Sequence, residues 1–70
     1  MQEDVDQSLI GAIGTVTVPI SSTRSGEVVI AVRGGTEAFA AWADEPIAKH
    51  TRVVVIECTT SRSLTVTPCP

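Results

Sequence analysis

Apolar and polar residues alternate along this chain at the two-residue period of β-strands rather than the 3.6-residue period of a helix. The clearest stretch is Gly26 to Ile47, GEVVIAVRGGTEAFAAWADEPI. Val28 to Val32 is mostly β-branched and suits a strand. Gly34-Gly35 offers two positive-φ positions for a tight type I′ turn, and Thr36 to Trp42 returns as the second arm. With the turn at Gly34-Gly35, Arg33 faces Thr36, Ile30 faces Phe39 and Val28 faces Ala41. Side chains alternate faces along a strand, so Val28, Ile30, Phe39 and Ala41 share one side, expected to be the core side. A one-residue slip would turn Phe39 outward, so the register should be firmly held.

The same pattern runs through the rest of the chain. Leu9 to Ile20, LIGAIGTVTVPI, reads as a first strand with Val16, Val18 and Ile20 inward. Gly11 and Gly14 interrupt its front half, as at a bulge or tight bend, and Pro19 belongs at a strand end or an unpaired edge. Ser21 to Ser25 is a turn closed by Gly26. Ala43-Asp44-Glu45-Pro46 breaks the strand pattern, because proline restricts Glu45 and cannot join a ladder. Ile47 to Thr51 is short and polar, sized for a single helical turn. Arg52 to Cys58, RVVVIEC, is a fourth strand whose continuous apolar run predicts cover on much of both sides. Thr59 to Arg62 is a turn, and Ser63 to Pro68 a fifth strand with Leu64 and Val66 inward. The expected core is Val16, Val18, Ile20, Val28, Ile30, Phe39, Ala41, Val53, Val55, Leu64 and Val66.

Five short strands with turn signals between them and no amphipathic helix predict an all-β fold. A small five-stranded Greek-key barrel of the OB type fits best; an SH3-like barrel is the alternative architecture. The polar, acidic residues 1–8 read as a tail or linker before one domain, 9–70.

Composition narrows the function. The chain has 70 residues, 43% of them hydrophobic, with net charge −3 and a pI near 4.8. One lysine and four arginines are scattered rather than clustered. Nucleic-acid binding draws on phosphate neutralisation and on aromatic platforms for bases. Here Phe39 and Trp42 are the only aromatics, so no nucleic-acid partner is expected. The acidic N-terminus lacks the basic start and apolar run of a secretory signal. The longest apolar runs are strand-sized, too short to span a bilayer. The 70 residues therefore read as soluble, which is compatible with their being the soluble part of a longer membrane protein.

The chemistry-bearing residues form no catalytic set. Cys58 and Cys69 fall at opposite ends of one expected hairpin, on the order of 15–20 Å apart at strand spacing. A disulfide needs Cα atoms within about 7 Å, so two reduced thiols are expected. Two cysteines and one histidine are too few for a zinc site, and no cofactor is implied. Asp44 and Glu45 are adjacent carboxylates, but acid–base work needs a cleft and a shifted pKa; a solvated turn is the expected role. His50 has no nucleophile and carboxylate placed to form a triad with it. Glu57 beside Cys58 opposes thiolate formation.

The ordered set IGAIGTV, SGEVVIAVRGGTEAF, ADEPI, RVVVIE and LTVTP resembles the soluble C-terminal domain of NfeD-like membrane proteins, from Leu9 to Pro68. The shared elements are Gly11 and Gly14, Gly26-Glu27 and Ala43 to Ile47. His50 departs from the pattern, standing where relatives tend to have glycine. The resemblance implies an OB-like barrel without catalytic activity, of the kind found in bacteria. It implies tethering to a membrane through segments outside this chain, with the domain on the cytoplasmic side. It also implies a role in membrane organisation or in assembling stomatin-like or flotillin-like protein partners; self-association is the other partnership expected of the domain. The alternative is an OB-fold module for single-stranded nucleic acid or another small polymer.

One surface follows from the strand faces. Trp42 shares its side of the third strand with Ala38 and Ala40, opposite Phe39, and Val29 and Ala31 lie across from them. These five residues would make a shallow apolar patch walled by an indole, a candidate protein contact. The competing expectation is that Trp42 plugs the end of the barrel core.

Overall fold

A computed structural model describes residues 9–32, 34–60 and 62–69; the expected tail, 1–8, lies outside them. Five strands follow in order: β1 Ile13–Val18, β2 Gly26–Val32, β3 Gly35–Trp42, β4 Arg52–Thr60 and β5 Ser63–Pro68. They close into one barrel with neighbours β1-β2-β3-β5-β4, the OB-like architecture expected. Every pairing is antiparallel except β3 with β5, which is parallel and only three residue pairs long.

The hairpin turn falls one residue earlier than the glycine pair suggested. Val32 pairs with Gly35, Ala31 with Thr36, Ile30 with Glu37 and Val28 with Phe39. Gly34 takes the left-handed conformation (φ 86°), while Gly35, at φ 159°, already opens the returning strand. Either glycine could have been the last turn residue, and only one is. Val28 thus faces Phe39 rather than Ala41, and Ala41 faces Gly26. Each partner moves by two residues, so the faces are unchanged. Val28, Ile30, Phe39 and Ala41 are all buried.

The core also contains Val16, Ile20, Ile47, Val53, Val55, Cys58, Leu64 and Val66. Val18 is not in it; it is 47% exposed. The β1–β2 ladder slips between Val16, opposite Val28, and Val18, opposite Glu27. Two steps on β1 therefore match one on β2, a bulge that turns the following side chain to the other face. A second slip lies between Val55 and Glu57. It turns Glu57 outward and brings Cys58 inward, opposite Leu64; Ile56, outward by alternation from Val55, is 51% exposed. The outer side of β4 is thus less covered than its apolar run suggested. The strand also runs two residues past Cys58, to Thr60.

The expected first strand is shortened at both ends. Leu9 to Ala12 precede β1 but join the barrel, with Gly11 N–H donating to Val55 O and Val55 N–H to Ala12 O. Gly14 marks close packing rather than a bend: a Cβ there would lie 2.8 Å from Val29 O. Gly26 is tighter still, because a Cβ would clash with the Val18 and Pro19 carbonyl oxygens. Pro19 follows β1 directly, and Ile20 beyond it pairs with Ile47 through two backbone hydrogen bonds of 2.8 and 2.9 Å. That bridge buries Ile47, whose place in a short loop hid it from strand patterning.

Between Ile47 and β4 the chain makes a turn rather than a helix. Thr51 N–H reaches Ala48 O, His50 N–H donates to Val16 O at 2.7 Å, and Val16 N–H donates to Thr51 O. His50 sits at φ 76°, the one left-handed non-glycine residue among those described. That is the position where the resemblance led us to expect glycine.

Two outcomes test this packing. Phe39→Ala should cost about 3–5 kcal/mol, a large share of the stability of a small domain, read from urea unfolding; a midpoint that barely moved would contradict the register. His50→Gly should raise stability by about 0.5–1 kcal/mol, as relief of left-handed strain outweighs the added freedom of glycine in the unfolded chain. A lower unfolding midpoint for that variant would contradict it.

Candidate functional site

The barrel leaves the outer face of β2 and β3 open to solvent. Outward positions on β2 are Glu27, Val29 and Ala31, and on β3 Thr36, Ala38, Ala40 and Trp42. The ladder sets Val29 opposite Ala38, Ala31 opposite Thr36 and Glu27 opposite Ala40. Ala31 and Ala38 are exposed, and Val29 and Ala40 half-buried. The two-residue shift of the hairpin therefore brings a carboxylate into the middle of the expected apolar floor. Thr17 Oγ1 donates to Glu27 Oε1 at 2.7 Å, and this bond holds the carboxylate toward β1, away from Ala40.

Trp42 is 44% exposed and lies outside the core. Its position in the ladder accounts for this. Thr65 is its partner on β5, and pairing with β2 ends one residue earlier, at Gly26 opposite Ala41. Neither flank offers a side chain large enough to cover an indole. The loop after it is anchored at both ends: Ala43 packs on the core, and Ile47 bridges to Ile20. Asp44, Glu45 and Pro46 between them are exposed. The structure thus brings Trp42, Ala40 and Ala38 into one row on β3, with Val29 beside Ala38. Ala31 lies at the far end of that row from Trp42.

A second group of exposed apolar side chains was not foreseen. Ile13, 44% exposed, stands opposite Val54 on the outer β1–β4 face. Ile56 and Ile10 are also about half exposed. Alternation from inward Val16, Val53 and Val55 already turns Ile13 and Ile56 outward. What no local pattern shows is that β1 and β4, distant in sequence, pair and set Ile13 opposite Val54.

The residues weighed for chemistry stay apart. Cys58 lies opposite Leu64, whereas Cys69 N–H donates to Arg52 O at the other end of β4. Both carry thiols. Among the described residues no group of three or more His, Cys, Asp or Glu could hold a metal ion. The ion pair found among them joins Arg62 Nη1 to Glu37 Oε2 at 3.6 Å, at the surface. No described helix is long and apolar enough to cross a membrane.

Comparison with known proteins agrees with this architecture. A family model described as the NfeD C-terminal domain matches residues 13–67. Among solved structures, the chain is similar to the soluble domain of the NfeD protein YuaF from Bacillus subtilis. The two are 33% identical, with a TM-score of 0.77, over 87% of this chain and 74% of that one. It is also similar to the C-terminal domain of stomatin operon partner protein 1510-C from Pyrococcus horikoshii. There the identity is 29% and the TM-score 0.68, over 91% of this chain and 92% of that one. A search of curated proteins finds no match.

Proposed function

The chain belongs to the NfeD C-terminal domain family, and from that premise we propose that it is a non-catalytic interaction module which meets a partner protein through the Trp42 face. The observation that carries this reading is the half-exposed indole at the end of β3, beside a row of alanines and a loop fixed at both ends. Tryptophan in such a setting offers large contact area at little conformational cost and is enriched among binding hot spots. Asp44 and Glu45 are exposed in the loop rather than set in a cleft.

The partner we propose is a stomatin-like or flotillin-like protein, with the module tethered to a membrane, on its cytoplasmic side, by segments outside these 70 residues. Its work there is membrane organisation. A stomatin-like partner draws support from the similar domain of 1510-C, which is described as a stomatin operon partner. Self-association through the same face is the second form of the reading.

Trp42→Ala tests it. The variant should keep its circular dichroism spectrum and cooperative unfolding. It should bind a stomatin-family protein from the same organism at least tenfold more weakly in calorimetric titration. Unchanged binding would remove Trp42 from the interface, and an unfolded variant would return the indole to the core. The wild-type domain should also leave the anisotropy of a labelled single-stranded oligonucleotide unchanged at physiological salt, given its acidity and few aromatics. Salt-sensitive micromolar binding would favour the nucleic-acid reading instead.

A further inference from the structure

The barrel is closed between β3 and β5 over a short length only. Their pairing covers Ala40, Ala41 and Trp42, while β3 begins five residues earlier, at Gly35. Among the described residues, the first half of β3 is therefore bonded to β2 on one side and has no strand partner on the other. The orientation of its backbone follows from one hydrogen bond: Ala40 N–H donates to Arg62 O at 3.1 Å, toward β5. In an antiparallel ladder, residues alternate between bonding one neighbour and facing away from it. Ala38 and Thr36, two and four positions before Ala40, therefore point their N–H and C=O groups to the same side as Ala40. No β5 residue pairs with either of them. Gly35 to Ala38 are all exposed, without a proline or a register slip along β2–β3 to blunt the edge.

We propose that this edge accepts an extended, basic segment of a partner protein as an added strand. The inference rests on the interaction reading above and gives the partner's segment a conformation and a charge. Four outward backbone groups, from Thr36 and Ala38, supply the hydrogen bonds of strand addition. Glu37, between them, supplies the selectivity. It is half exposed, and its present partner Arg62 is 73% exposed and 3.6 Å away, a surface pair that is displaced at little cost. A lysine or arginine on an incoming antiparallel strand would stand directly opposite Glu37, at the distance where cross-strand charge pairs act. A second copy of this chain is the poorer occupant. The twofold pairing that uses all four backbone groups sets Thr36 against Ala38 and places Glu37 opposite the Glu37 of the other copy, a like-charge pair.

The test uses two blocked seven-residue peptides of alternating threonine and valine, one with a central lysine and one with a central glutamate. Amide exchange and chemical shifts of the 70-residue chain are followed by NMR during titration. The lysine peptide should slow exchange at Thr36 and Ala38 at least tenfold at saturation and bind several-fold more tightly than the glutamate peptide. Glu37→Gln should abolish that preference. Ala38→Pro should abolish binding while keeping the β2–β3 ladder, since the N–H it removes points away from β2. If Ala38→Pro fails to fold, N-methylation of Ala38 in a synthesised chain deletes the same donor. Shifts confined to other strands, equal binding of both peptides, or slowed exchange that depends on protein concentration without peptide would overturn the proposal. With a stomatin-family protein as probe, loss of binding in Trp42→Ala but not in Ala38→Pro would sink the edge alone. Binding retained in both would sink the interaction reading beneath it.

Discussion

Everything in this barrel depends on which side of each strand points inward. A 70-residue chain has room for a single layer of interior side chains, and a strand offers only every second residue to it. Val28 facing Phe39 fixes that choice for the central hairpin. From there it passes to β1 through Val16 and to β5 through Leu64, beside Ala41. Two glycines permit the strands to approach as closely as this requires. Gly14 lies against the Val29 carbonyl and Gly26 against those of Val18 and Pro19.

That dependence explains what could be read from the sequence. The strand count, the inward face of the hairpin and the whole of β5 follow from local alternation, which a slip of two residues leaves intact. The pair Gly34-Gly35 left the turn ambiguous by one residue, and the structure resolves it without moving Phe39 off its face. The bulges are different. Each shifts the alternation by one, so Val18 emerges where it was expected inside and Cys58 enters. Nothing in TVTV or VIEC marks them, because a bulge is settled by the neighbouring strand. Ile47 was missed for another reason: it is buried by a lone bridge to Ile20, outside any run long enough to show a period.

The candidate site was legible to the same extent. The alignment of Trp42 with Ala38 and Ala40 follows from face alternation. Its exposure does not, because alternation left open an indole folded over the barrel end. It is the end of the β2 pairing at Gly26 that leaves Trp42 outside the core. Its neighbours across the ladder do not follow from alternation either, since they depend on the register to the residue. Glu27 rather than Val29 therefore stands beside Ala40. The open half of β3 was invisible for a further reason. It reflects how far β5 travels alongside β3, a property of barrel closure that neither strand encodes by itself.

The order in which the strands meet also sets the path by which the chain reaches this shape. The β2–β3 and β4–β5 hairpins join residues close in sequence, whereas Ile13 opposite Val54 closes a loop of some forty residues. Loop entropy must be overcome before such a contact contributes, so topologies of this kind fold slowly for their size. Until the barrel shuts, β1 and β4 stand as unpaired edges beside isoleucines that stay uncovered even in the native state. Strand edges beside apolar side chains are where an unclosed barrel is open to misassociation.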